Sequence, residues 1–165
     1  MGDVIERHRQ DLAELRRTCL LCHGLDLTST AVFSEKTYGA VSNETAVLLQ
    51  NMISGNVLQL AVALRINIYQ GVLEGDIEVD RKAASIYYMD EMYMYPMTVK
   101  KVADKIIHAE TFSKDALPKE MLGDGKIAFH LTGSYKRREW VVDICVQYLA
   151  EKILTIIDSL EGKSM

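Results

Sequence analysis

The chain has 165 residues, of which 48% are apolar and 25% charged, and its formal net charge at pH 7 is −4. This balance is typical of a globular protein, and it excludes both a disordered chain and a generally basic protein that coats nucleic acid. Two prolines and ten glycines are few for this length, which disfavours an all-β sandwich and favours helices.

The sequence also indicates where the protein works. No run of 18 apolar residues is present, so we expect no membrane-spanning helix. The first residues lack the apolar region of a secretory signal, and three cysteines, an odd number, favour reduced thiols. We therefore expect a single cytoplasmic domain over residues 1–165, without a membrane partner.

Two helices are predicted in the first half of the chain. Apolar residues at alternating spacings of three and four predict a helix over 3–23, which stops at Gly24. We expect a connecting loop over 25–41. A second, long helix is predicted from an N-cap at Ser42 or Asn43 to about Tyr69, with its apolar middle placed centrally in a bundle. Gly55 in that helix costs about 1 kcal/mol relative to Ala, which a close helix crossing would offset.

Two shorter helices are predicted next. Asp80 is a candidate cap for a third helix that carries aromatic and methionine side chains up to Pro96. Thr98 is a candidate cap for a fourth helix, from Val99 to about Phe112. A loop with Pro118, Gly123 and Gly125 follows.

The period of the apolar pattern then changes from 3.6 to 2. This alternation predicts a β-hairpin over about 126–142 that turns at Gly133-Ser134, followed by a last helix from near Asp143 to Leu160. The whole pattern predicts a mainly α fold, a bundle of about five helices with a small β-hairpin packed on it before the last helix.

A Cys-x-x-Cys-His sequence at residues 19–23 matches the attachment motif of c-type haem. Both cysteines fall on the apolar stripe of the first predicted helix, where a free cysteine behaves as a small hydrophobe. A zinc site there lacks a clear second pair of ligands, although Cys145 or His8 is a candidate. We therefore expect no haem, no metal and no other cofactor.

Two further clusters are candidate binding surfaces. The segment 87–97 is dense in Tyr and Met, and Tyr88, Met92 and Tyr95 are candidates for an interface or a pocket. A short basic cluster with a neighbouring aromatic is a candidate contact for a ligand or RNA, and it contains Tyr135, Lys136, Arg137 and Arg138. Core packing and a solvated hairpin tip are the alternatives.

The fourth predicted helix carries the candidate catalytic residues. At 100° per residue, one face holds charged groups and the opposite face holds Val99, Val102, Ala103 and Ile106. The charged face contains Lys101, Asp104, Lys105 and His108. Asp104 lies four residues before His108 and is placed to orient its ring for acid–base chemistry on a phosphodiester, with the lysines stabilising phosphate charge. A solvated surface helix shows the same pattern.

The string Asp104-Lys105-Ile106-Ile107-His108-Ala109, placed after a long helical hairpin and before a strand pair, resembles HEPN-like (higher eukaryotes and prokaryotes nucleotide-binding) helical domains. The resemblance implies a helical bundle that dimerises. It also implies either a metal-independent ribonuclease with a His facing the dimer cleft or an inactive interaction module. His108 is the matching His, but the Arg of the family pattern is absent, since residues 101–103 are Lys, Val and Ala.

We therefore expect a HEPN-like homodimer that serves as a non-catalytic interaction or ligand/RNA-binding module, with RNA or another protein as a possible partner. The alternative is a metal-independent endoribonuclease that uses His108 as its acid–base group.

Overall fold

A computed structural model describes residues 12–32, 42–113 and 128–163 of the chain. Those residues form four helices and six strands. The helices are α1 (Leu12–Val32), α2 (Asn43–Tyr69), α3 (Val99–Ile107) and α4 (Val146–Lys163). The strands are β1 (Glu78–Val79), β2 (Ala84–Tyr88), β3 (Tyr95–Thr98), β4 (Thr111–Ser113), β5 (Phe129–Tyr135) and β6 (Arg138–Ile144). The predicted mainly α five-helix bundle is therefore wrong, and the fold is mixed α/β.

The six strands form one antiparallel sheet in the order β1-β3-β2-β6-β5-β4. Side chains alternate between two faces of the sheet. The inner face faces the hydrophobic core and includes Phe129, Leu131, Trp140, Val142, Ile144, Ala84 and Ile86. The outer face includes Ser85, Tyr87, Ser113, His130, Thr132, Val141 and Asp143.

The third predicted helix is replaced by strands β2 and β3. Asp80, its expected cap, instead makes a turn in which its side chain accepts a hydrogen bond from the N–H of Lys82 at 2.7 Å. β2 then pairs along its whole length with β6, which is more than fifty residues away in sequence. Aromatic and apolar residues between 84 and 95 are compatible with both a helix and a strand. Pairing with the distant strand β6 therefore determines that residues 84–88 form a strand.

The predicted hairpin is present as β5 and β6, with its turn moved. The chain reverses at Lys136 and Arg137, not at Gly133-Ser134, and both turn residues have positive φ, 49° and 67°. Gly133 lies inside β5, opposite Trp140, and the indole occupies the space where a Cβ would stand. The hairpin supplies two interior strands of the sheet, with β2 on one side and β4 on the other, and is not a small appendage on a bundle.

Helix α1 continues past the predicted stop at Gly24 as far as Val32. The expected loop at 25–32 is therefore wrong, while residues 3–11 and 33–41 lie outside the described residues. The apolar pattern in the sequence stops before the helix ends, because two of the next buried positions hold polar residues, Asp26 and Ser29. Gln147 of α4 donates a hydrogen bond to Asp26 at 2.9 Å, so a polar pair continues the contact between α1 and α4.

Helices α2 and α3 begin where the sequence predicts. Ser42 caps α2 by accepting from the N–H of Thr45 at 3.3 Å, and Thr98 caps α3 by accepting from the N–H of Lys101 at 3.3 Å. α3 ends at Ile107, before the predicted Phe112, which belongs to β4. The last helix starts three residues later than predicted and ends at Lys163. The predicted loop at 114–127 lies outside the described residues.

The helices pack in a chain of contacts on one core. α3 packs on β3 and β5, α2 packs on α3, and α1 packs between α2 and α4. The predicted buried side of α3 is confirmed, since Val99, Val102, Ala103 and Ile106 are all buried. The buried apolar side chains of sheet and helices form one cluster.

Candidate functional site

The predicted catalytic carboxylate makes a different contact. Asp104 Oδ1 lies 2.8 Å from Nε of Arg65 on α2. This ion pair joins α3 to α2, and the only described bond between Asp104 and His108 is along the backbone, from the N–H of His108 to the carbonyl of Asp104 at 3.1 Å. The side chain of Asp104 therefore does not orient the imidazole as predicted.

The other predicted catalytic residues also separate. The ammonium of Lys105 lies 4.3 Å from the centre of the Trp140 ring, where burial and then the charge of Lys101 lower the pKa of Lys105. His108 is exposed at the C-terminal end of α3, beyond that contact. The described residues thus do not assemble one site from this helix, and the ribonuclease activity stays a prediction without the orienting contact it was based on.

The basic residues at the tip of the β5–β6 hairpin differ in their contacts with the rest of the protein. Arg138 lies 3.8 Å from the centre of the Tyr88 ring and pairs with Asp90 and Glu91. Tyr135, Lys136 and Arg137 are exposed. Lys136 Nζ lies 5.3 Å from the centre of the Tyr135 ring, so one face of the aromatic is partly occupied. RNA contact at this tip stays a prediction.

The three candidate residues of the Tyr/Met cluster do not share one environment. Tyr88 and Tyr95 contact each other edge to face, with ring centres 6.1 Å apart, and both are partly buried against the core. Met92 is fully exposed in the loop between β2 and β3. The three candidates therefore divide into two packing residues and one surface residue.

The cysteines of the haem-like motif are buried. Burial raises the pKa of Cys19 and of Cys22 to about 12, from a usual value near 9. His23 contacts Glu151 instead, with 3.2 Å between Nε2 and Oε1. Within residues 12–32, 42–113 and 128–163, no group of three or more metal-binding side chains comes together.

A polar cluster that the sequence did not indicate lies on the outer face of the sheet. Nδ1 of His130 on β5 makes a short hydrogen-bond contact with Oδ1 of Asp143 on β6. Their side chains are only 17% and 23% exposed, so water screens the contact weakly. Beside this pair, burial and then the Asp143 carboxylate raise the pKa of Tyr87.

The strand register extends this pair into a row. Ser113 of β4 stands opposite His130, and Ser85 of β2 stands opposite Asp143. The row runs across four neighbouring strands in the order Ser113, His130, Asp143, Ser85. Directly opposite residues of an antiparallel pair have Cβ atoms about 4.5–5.5 Å apart. Within this row, the side-chain hydrogen bond that the described residues show is the one between His130 and Asp143.

The sequence pattern did not predict this row, because the row depends on the pairing register between neighbouring strands. A two-residue turn at Gly133-Ser134 pairs His130 with Arg137, whereas the turn at Lys136-Arg137 pairs it with Asp143. The alternation of residues 127–132 already placed His130 on the polar face. The position of the turn determines that Asp143 is the carboxylate opposite His130.

A second unexpected feature is the side of α2 that points away from the core. Its apolar side chains are largely exposed, and they are Val47, Leu48, Met52, Leu58, Val62 and Tyr69. We call this surface, together with Gly55 at its middle, the outward face of α2. The opposite side of the helix is buried, with Leu60, Ala61 and Leu64 at 0–1% exposure. The expectation that α2 sits centrally in a bundle is therefore wrong.

By length and composition, α2 is also the one described helix apolar enough to cross a membrane, although 39% of the relevant window is buried inside the protein. A buried core helix passes the same test. Localisation in the cytoplasm stays a prediction.

No family model, curated protein or solved structure matches the chain. The sheet contradicts the helical bundle implied by the HEPN-like resemblance, and membership of that family stays an untested prediction.

Proposed function

We propose that this protein is an interaction module that works as a homodimer, and that two copies pair through the outward face of α2. The observation that carries the proposal is the exposure of this face, where Leu48 is 61% exposed and Tyr69 is 91% exposed. Apolar side chains left in water at this density favour burial against another surface.

The amount of exposed surface supports a stable contact. With side chains of ordinary size, the exposed fractions of the outward face amount to on the order of 600 Å², the upper end of the largest patch on a typical monomer. A standard interface buries about 800 Å² per partner, of which roughly 60% is apolar. One copy therefore offers the apolar area that one side of such an interface needs.

The chemistry of α2 supports a second copy as the occupant. Residues 45–64 hold no ionisable side chain, and the one basic residue between Val62 and Tyr69, Arg65, is already paired with Asp104 of α3. The face therefore offers little charge that would select a partner of opposite sign. A straight apolar helix is complementary to itself about a two-fold axis. In an antiparallel pair centred near Leu58, the large ends at Leu48 and Tyr69 meet, and Gly55 lets the two backbones approach closely.

A lipid bilayer fits the same helix less well. Leu60, Ala61 and Leu64 face the protein core from the opposite side of α2. A helix that spans a membrane on its own exposes all its sides to lipid, so spanning would require α2 to leave α1 and α3. Pairing of two copies buries the outward face without breaking these contacts.

Sedimentation equilibrium of the purified protein at micromolar concentration tests the proposal. We expect a dimer for the parent chain. The double variant Leu48→Lys/Val62→Lys should be a monomer, because dimerisation would bury two charges without partners. The matched control is Leu20→Lys/Leu27→Lys on α1, where side chains that are 57% and 48% exposed lie off the outward face, and it should remain a dimer.

A monomeric parent chain, or a dimer that the α2 variant leaves intact, would contradict the proposal. Co-flotation with neutral lipid vesicles is the second measurement. Binding of the parent to vesicles, lost in the α2 variant, would identify a lipid surface as the occupant and would overturn the homodimer.

A further inference from the structure

We propose that Ser113, His130 and Asp143 form a nucleophile, a general base and a positioning carboxylate that hydrolyse a small carboxylic ester. The inference goes beyond the interaction function and rests on a different part of the molecule, the outer face of the sheet. Its basis is the strand register, which places the three side chains in this order on β4, β5 and β6.

The contact between His130 and Asp143 determines which ring nitrogen is available. Nδ1 is held by the Asp143 carboxylate, and in the neutral ring this bond places the proton on Nδ1. Nε2 is then an acceptor, on the side of the ring away from Asp143. Among the described residues nothing else is hydrogen-bonded to the His130 ring.

Ser113 lies on that side. β4 is the strand next to β5 on the side opposite β6, and Ser113 is the residue of β4 in register with His130. A serine hydroxyl is a weak nucleophile until a base accepts its proton. The partial burial of His130 and Asp143 strengthens the electrostatic support for the ring when it becomes positively charged.

Ser113 and His130, with water and the ester, account for every bond and proton in the reaction. Ser113 Oγ attacks the acyl carbon of the ester, its proton moves to His130 Nε2, and the C–O bond breaks as that proton passes to the leaving alcohol. Water then attacks the acyl-serine, gives one proton to Nε2 and releases the carboxylic acid, while Ser113 Oγ recovers a proton from Nε2. Asp143 keeps its charge throughout and acts as a positioning residue.

A groove beside the row indicates the substrate. A cavity of about 320 Å³ begins at Thr132 and Val141, two residues along β5 and β6 from His130 and Asp143. Glu110 and Glu139 also line it. Its size suits a small molecule, and its two carboxylates favour an ester that carries a positive charge.

Diisopropyl fluorophosphate tests the proposal on the intact chain. The Ser113 oxygen forms a bond to phosphorus, fluoride leaves, and the proton passes to His130. We expect one diisopropylphosphoryl group per chain, located on Ser113 by peptide mass spectrometry and absent in Ser113→Ala. His130→Gln should slow labelling at least about 100-fold, as loss of a general base does.

Further variants distinguish an effect on the labelling reaction from an effect on folding stability. Asp143→Asn should slow labelling with partial recovery in Asp143→Glu, and a merely structural carboxylate would change the unfolding midpoint without changing the labelling rate. Ser159→Ala is the matched control, since Ser159 is an exposed serine on α4 outside the row, and it should label like the parent. An unlabelled folded parent, or equal rates in the parent and His130→Gln, would overturn the proposal whatever the oligomeric state.

Discussion

Single residues determine how closely the parts of this fold approach. Gly133 is the clearest case, because its missing side chain allows the Trp140 indole to pack against the backbone of β5. A Cβ at position 133 would lie less than 3 Å from three atoms of the indole. The ammonium of Lys105 on α3 lies 4.3 Å from the centre of the same ring, so the indole that packs on Gly133 also contacts a helix.

We predict that Gly133→Ala destabilises the protein by about 2–3 kcal/mol, because the buried indole must move to admit the methyl group. Urea unfolding followed by Trp140 fluorescence measures the change. Gly24→Ala is the control, since that glycine is exposed in α1 with no atom within 4 Å of a Cβ, and it should stabilise by up to about 1 kcal/mol. An unchanged midpoint for Gly133→Ala would contradict this account of the packing.

At the scale of elements, the hairpin of β5 and β6 shows how a turn fixes a register against local preference. A two-residue turn with positive φ at both positions favours Asn-Gly, yet this turn holds Lys136 and Arg137. Left-handed backbone costs roughly 1–2 kcal/mol for a residue with an ordinary side chain. Pairing of β6 with both β2 and β5 offsets that cost, and the same register brings His130 to Asp143.

We predict that Lys136→Asn/Arg137→Gly raises the free energy of unfolding by about 1–2 kcal/mol, since both new residues adopt positive φ readily. Chemical denaturation of the two proteins under one set of conditions is the measurement. Lys136→Gln/Arg137→Gln removes the same charges while retaining the backbone cost, and it should give no such gain. A similar gain in both variants would attribute the effect to charge instead of backbone conformation.

At the scale of the whole molecule, the chain separates its apolar surface into a shared core and an unpartnered helix face. α2 contributes one side to the core and leaves the other exposed along most of its 27 residues. Gly55 lies in the middle of that exposed side, with no atom within 4 Å of a Cβ. Within one copy, this glycine therefore has no packing function.

We predict opposite effects of Gly55→Ala on the two states of the protein. The isolated chain should become more stable by about 1 kcal/mol, because alanine favours the helix and meets no neighbour. The dimer should dissociate about tenfold more readily, because the methyl groups separate the paired helices. Thermal unfolding at low concentration and sedimentation at several concentrations measure the two effects. A more stable chain with unchanged dimerisation would place the contact away from Gly55.

The sequence by itself determined the features that depend on near neighbours. The caps at Ser42 and Thr98, the buried stripe of α3 and the alternation that marks β5 are all correct, because residues three or four apart, or two apart, decide them. The burial of Cys19 and Cys22 follows from the same periodicity. None of these features requires knowledge of a distant partner.

Only the tertiary structure decided the sheet and the row on its outer face. Residues 84–88 are a strand because β6 lies beside them, and His130 meets Asp143 because the turn falls three residues later than the nearest glycine suggests. The exposure of α2 likewise depends on which of its sides the other helices cover. In each case the deciding contact joins residues far apart along the chain, where local propensity carries no information.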